Sequence, residues 1–204
     1  MRRRIALPLA LAAALAAGAA AEPPPPTPPA ASDEAIAALQ ALAKQRPASE
    51  LPRYLHGQAT YWTVVGVPDD EHEALLDADG MLEVAKGSFS IEPFLVTPAG
   101  VQGWRESRTA QALDGGFRPI PEVVRMHPPL RLAIQVFASG APGKARVYAS
   151  YRVENSGDAP VRGELRLALR PLQVLPPWQS LNLRPVLAPI HALAFADGAV
   201  VVDG

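Results

Sequence analysis

Three stretches in the second half of the chain alternate apolar and polar residues with a period of two. In Leu130 to Phe137, Leu130, Leu132, Ile134 and Val136 fall on one side and Arg131, Ala133 and Gln135 on the other. Arg146 to Val153 puts Val147, Ala149, Tyr151 and Val153 on one side. Val161 to Arg170 sets Val161, Leu165, Leu167 and Leu169 against Arg162, Glu164, Arg166 and Arg170. Side chains of an extended backbone point alternately to opposite faces, so this pattern describes an antiparallel sheet packed on one face and wet on the other. A parallel sheet needs a long crossover, usually a helix, between strands, and no helical period separates these. Asn155, Ser156, Gly157 and Asp158 form a compact reversal, which predicts that the last two stretches pair as neighbours.

Earlier segments extend the pattern. Tyr61 to Val67 is rich in aromatic and β-branched residues and closes at Pro68, Asp69 and Asp70. Met81 to Val84 and Ser88 to Val96 are shorter strands, with Gly80 and Gly87 placed for tight reversals and Pro93 marking an edge or a bulge. Phe195 to Val202, interrupted by Asp197 and Gly198, predicts a hairpin. Before all of these, Ile36, Leu39, Leu42 and Ala43 share one helical face between the N-cap candidates Ser32 and Asp33 and the stop at Pro47. The expected fold is mainly β, an antiparallel sandwich in preference to an open sheet or a barrel, with one short N-terminal helix. Residues 32–47 hold the helix and 48–204 the sandwich domain. Because the sequence stops just after an apolar hairpin, the domain reads as truncated at its C-terminus.

The N-terminus points to export, with a membrane-tethered form as the alternative. Arg2, Arg3 and Arg4 precede an Ala/Leu-rich run, and Ala19 to Ala21 supply small residues before Glu22, the order found in a secretory signal peptide. The apolar run is shorter than the ~20 residues that cross a bilayer. Residues 1–21 are therefore read as a signal and 22–31, with six prolines between Pro23 and Pro29, as an extended spacer. The expected location is exported, periplasmic or extracellular, with no stable membrane insertion after cleavage. Loss of the three arginines takes the net charge from −1 to −4, a field that does not attract nucleic acid. With no cysteine, the chain has neither disulfides nor thiolate metal ligands, and no motif calls for a cofactor.

Few residues present recognisable chemistry. Asp69, Asp70, Glu71 and His72 are the densest acidic and imidazole cluster, a weak candidate for a hard divalent ion or for acid/base work, though consecutive residues in a turn diverge. His56, His127 and His191 match no zinc spacing. Trp104 with Arg105, and Trp178 with Gln179 and Asn182, combine an aromatic ring with hydrogen-bonding groups. That mixture suits either a polysaccharide or oligosaccharide, or a docked domain. Pro171, Pro176 and Pro177 force the chain out of the sheet after Arg170 and aim it at Trp178. An exposed apolar patch at Val174, Leu175 and Trp178 would mark docking.

The phrases YWTVVGVPDDEHEALLDADGMLEVAKGSFSIEPFLV, YRVENSGDAPVRGELRLALRPLQVLPPWQ and APIHAL resemble the opening portion of large bacterial exported proteins labelled discoidin-domain or factor 5/8 C-domain proteins. These look like glycoside hydrolases in which a β-supersandwich precedes an (α/α)6 toroid. The resemblance runs from about Tyr61 to the end. It implies a non-catalytic scaffold for a helical toroid that would itself carry the catalytic carboxylates, with a loop of the sandwich at the glycan cleft. This chain contains no toroid, and nothing in its sequence sets two carboxylates across a glycosidic bond, so catalysis by the chain alone is not expected. A self-contained carbohydrate-binding module using Trp178 or Trp104, and an assembly domain without ligand, are the alternatives.

Overall fold

A computed structural model describes residues 33–47, 50–176, 179 and 187–203. Helix α1 spans Asp33–Gln45 and a 3-10 turn spans Arg53–His56. The strands are β1 Trp62–Val65, β2 Ala74–Asp77, β3 Leu82–Glu83, β4 Ser90–Thr97, β5 Gly100–Gln102, β6 Arg108–Leu113, β7 Pro121–His127, β8 Leu130–Ser139, β9 Arg146–Asn155, β10 Glu164–Arg170, β11 Leu193–Ala196 and β12 Ala199–Val202. The signal peptide, the proline spacer, Ser32, Trp178 and Asn182 lie outside the described residues.

All pairings are antiparallel. One sheet runs β1-β2-β3-β4-β10, with β5 also on β4; a second runs β6-β7-β8-β9; β11 and β12 form a separate hairpin. The two large sheets face each other across a core of Val65, Ala74, Leu76, Leu82 and Leu95 from the first and Val123, Leu130, Leu132, Ile134 and Val136 from the second. The apolar face of β8 is buried as expected, with Leu132, Ile134 and Val136 each 0% exposed, while Ala133 of the opposite face is covered as well. Burial of such side chains contributes about 1.5–3 kcal/mol apiece. The fold is the sandwich-like, mainly β structure with one short N-terminal helix that the alternation predicts.

The first sheet is covered on its inner face, and on its outer face over β1 to β3. Its outer face carries a second core in which Leu75 and Met81 meet Ala43 of α1, Tyr54, Leu55, Leu172, Val174 and Leu175. This explains β2, where all four residues are buried. A strand between two layers has no wet face and loses its alternation.

Three local expectations need correction. First, β10 does not pair with β9: the Asn155–Asp158 reversal is instead a crossover between sheets, and β10 lies on β4 from Glu164↔Val96 to Arg170↔Ser90. Ser156 and Gly157 are held at the base of β8, where the Ser156 N–H and hydroxyl donate to the Pro129 carbonyl at 2.9 and 2.8 Å. Second, Pro93 is not on an outer strand of the sheet, since β4 runs between β10 and the β3/β5 side, but Pro93 itself is paired only with Leu167 of β10. It sits between Ile91, which pairs with β3, and Leu95, which pairs with β5, so its missing N–H interrupts no continuous ladder. Third, Val174 and Leu175 form no exposed patch. At 0% and 1% exposure they are sealed under the chain's own outer layer.

Candidate functional site

Carboxylates make or break a hydrolytic reading, so the buried ones come first. Asp77, Asp79, Glu83 and Glu92 are all 5% exposed or less, and all four project from the first sheet or its β2–β3 turn. The turn fixes two of them. Gly80, at φ +91, lets the chain reverse, while Asp77 Oδ1 accepts the main-chain N–H groups of Asp79 and Met81 at 2.8 Å each. Asp79 then grips Arg53 of the 3-10 turn through a two-pronged bond at 2.5 Å per prong. That partner raises the Arg53 pKa above its usual value.

Glu83 and Glu92 fasten the segment after β10. Glu83 accepts the N–H of Gly87 at 2.6 Å and of Val174 at 2.7 Å, and burial pushes its pKa up to about 7. Glu92 pairs with Arg170 at 3.2 Å. Burial raises it to about 7 as well, against the pull of Arg170 and Arg125. Asp77 is raised by burial and by the neighbouring Asp79. Tyr54 donates its hydroxyl to the Gln173 carbonyl at 2.8 Å, and Ser90 Oγ donates to Leu172 at 2.6 Å. These bonds stitch the 3-10 turn and Leu172–Leu175 onto the sheet.

From the second sheet, Arg125 enters the same interior at 1% exposure. It donates to the Pro93 carbonyl at 2.8 Å and to the Gln102 carbonyl at 3.2 Å, bridging the level at which β3 gives way to β5. Burial lowers its pKa, and the field of Glu92, Asp79 and Asp77 opposes that. Strongly perturbed acids often mark active sites. Here Asp77, Asp79 and Glu83 are committed to internal donors, and Glu92 is ion-paired. What the arrangement does chemically is hold two layers together.

The residues singled out from sequence fall apart spatially. Trp104 is 6% exposed; its indole N–H donates to the Leu51 carbonyl at 2.8 Å, and the Arg53 guanidinium lies 4.9 Å from the ring centroid. It ties β5 and the loop after it to the turn below α1. Arg105 beside it is exposed. Gln179 donates its N–H to the Pro176 carbonyl at 3.0 Å and is half-buried. Asp70 accepts the N–H groups of His72 at 3.0 Å and Gly143 at 2.9 Å, which lower its pKa. Asp69, Glu71 and His72 are exposed, so the cluster splits, with Asp70 tying the β1–β2 loop to the β8–β9 loop. Among the described residues, no three acidic or histidine groups converge on a metal-sized site. No helix among them is long and apolar enough to cross a membrane.

Two surface features remain. A groove of about 510 Å³ lies between the end of α1 and the outer face of β4, β5 and β10. The β11–β12 hairpin exposes Leu193, Phe195, Val200 and Val201, with Phe195 at 77%. It is pinned by Asp203, whose carboxylate accepts the N–H groups of His191 at 2.8 Å and Ala192 at 2.7 Å. Comparison with protein-family models, with curated proteins and with solved structures gave no match.

Proposed function

We propose that the chain is the exported, non-catalytic sandwich domain of a glycoside-hydrolase-like protein, a scaffold against which an (α/α)6 toroid packs. The observation that carries this reading is the β11–β12 hairpin. Its strands contain no charged residue, and seven of their eight residues are exposed. An apolar, contiguous and uncovered surface is what a docking face requires. The hairpin is joined to the body through the Leu172↔Leu187 bridge and the Ala188 N–H, which donates to the Pro171 carbonyl at 3.0 Å. A partner seated there would bear on the layer that Glu83 fastens to the first sheet.

The internal commitment of Asp77, Asp79, Glu83 and Glu92 supports the non-catalytic half of the proposal. Two experiments test it together. The purified mature chain should release no reducing ends from a panel of polysaccharides, and it should form a stoichiometric complex with an (α/α)6 glycosidase domain that Phe195→Asp with Val200→Asp abolishes. Glycan hydrolysis by the chain alone, lost in Asp77→Asn, would overturn the proposal. A complex indifferent to the hairpin substitutions would remove the hairpin from it.

A further inference from the structure

We propose that the groove beside α1 is a binding site for a carboxylate-bearing ligand with an adjoining apolar face. Its position follows from the layering. On the outer face of the first sheet, β1 to β3 lie under the second core, whereas among the described residues nothing covers the part built from β4, β5 and β10. Phe94, Val96 and Val101 form a floor there, and Leu51 forms part of one wall. The volume of about 510 Å³ falls within the range of small-molecule sites.

Three guanidiniums, from Arg46, Arg166 and Arg170, line the groove, and each has one carboxylate within 4 Å, from Glu50, Glu164 and Glu92 respectively. Arg170 is fixed: it pairs with Glu92 at 3.2 Å, donates to the Glu50 carbonyl, and lies 5.9 Å from the Phe94 ring centroid. It acts as a rigid edge to the floor. Arg46 and Arg166 are the solvent-facing groups of the three, with side chains 59% and 63% exposed, so a ligand can compete for them with Glu50 and Glu164. Arg46 reaches Glu50 only at 3.8 Å, too far for a hydrogen bond, and Arg166 is held by Glu164 on its own strand at 2.8 Å. A ligand carboxylate offers these forks a paired acceptor, the geometry that guanidinium favours. The apolar floor takes the face of the ligand beside that carboxylate.

Acidic sugars and alkyl carboxylates share this chemistry, the first through the C–H face of a pyranose and the second through a chain. The groove has no residue in common with the hairpin, so failure of this inference leaves the docking role standing. The test is isothermal titration of the mature chain with trigalacturonate, with its neutral counterpart α-1,4-galactotriose in parallel with maltotriose as neutral trisaccharides, and with decanoate. Binding is expected for at least one acid, with both neutral trisaccharides at least tenfold weaker. Trigalacturonate would identify an acidic glycan as the source, and decanoate alone an apolar carboxylate. Arg46→Gln and Arg166→Gln should each weaken the acid about tenfold, as expected for a lost charge-assisted contact. Both side chains are largely exposed, so unchanged unfolding midpoints in these variants verify the fold. Absence of acid binding at millimolar concentration, equal affinity for a neutral trisaccharide, or wild-type affinity in the double variant would each overturn the proposal.

Discussion

Gly80 offers the sharpest test of how the two sheets meet. It occupies the β2–β3 turn of the first sheet at φ +91, and a Cβ built there would lie 2.2 Å from Cδ1 of Ile134 on β8 of the second sheet. Ile134 is 0% exposed, so its methyl has no free space to enter. Gly80→Ala therefore carries two costs: about 1–2 kcal/mol for a left-handed L-residue and about 1–3 kcal/mol for overpacking a filled core. Gly87 separates them, because it has φ +82 with nothing within 4 Å of its Cβ position. Gly87→Ala should show only the conformational part. Ile134→Val removes the offending Cδ1 and leaves Cγ1 at 3.5 Å, an ordinary contact. Alone it should cost about 0.5–1.5 kcal/mol. Combined with Gly80→Ala it should recover most of the overpacking, a coupling of about 1–3 kcal/mol in a double-mutant cycle. Urea unfolding of the four proteins measures this directly. Equal losses in Gly80→Ala and Gly87→Ala, or strict additivity with Ile134→Val, would refute the facing of that turn onto β8.

Two further predictions concern the interior. Glu83 and Glu92 have folded pKa values raised to about 7 from an ordinary 4.5, so each binds a proton more tightly in the folded state. Their contribution is therefore present at acid pH and is lost as pH rises through 7. His127, lowered to about 4 by burial and Arg125, works in the opposite sense over pH 4 to 6.5. The balance predicts a protein about 1–2 kcal/mol less stable at pH 8 than at pH 6, with Asp77 adding in the same direction. Chemical denaturation at the two pH values tests it, and a midpoint that stays level or rises would contradict the burial of these acids. Trp104→Phe removes the donor to the Leu51 carbonyl and part of a buried ring. It should lower stability by about 1–3 kcal/mol; weakened glycan binding at unchanged stability would instead restore Trp104 as a stacking platform.

The fold was legible where one face of a strand is wet. β8 shows it: Leu130, Leu132, Ile134 and Val136 on its inward face are buried, because among the described residues the second sheet has only one neighbour layer. β7 was missed for the opposite reason. Its burial alternates perfectly, but the inward positions include Arg125 and His127 while Val124 and Met126 are only half-buried, so its hydrophobic pattern runs against its geometry. The β9 to β10 pairing failed because a local turn signal cannot say whether the next strand joins the same sheet. That choice depends on β4, far away in sequence. The site was hidden by the same non-locality. Glu83 in MLEV and Glu92 in SIEP look like strand residues turned to water, and only the second layer on the first sheet makes them buried. The one local clue was their place inside otherwise apolar runs, flanked by Gly80, Gly87 and Pro93.

The contrast between Asp70 and Glu83 shows why carboxylate density is a poor guide to where charge matters in this chain. Asp70 stands in the most acidic stretch, yet it only joins two loops, accepting the N–H groups of His72 and Gly143. Glu83 has no charged neighbour in sequence, but it accepts two N–H groups in a place that water does not reach. Removing it would strand the buried Val174 N–H, and an unmet buried donor costs about 1–3 kcal/mol. The segment Leu172–Leu175 therefore depends on Glu83 for its position. The proline-rich exit from β10 limits the directions available to the chain, and Glu83 selects the one that lays Val174 and Leu175 over the first sheet. The hairpin is joined to that segment by the Leu172↔Leu187 bridge, so docking through it presupposes a buried acid about a hundred residues earlier, whose sequence context announces none of this.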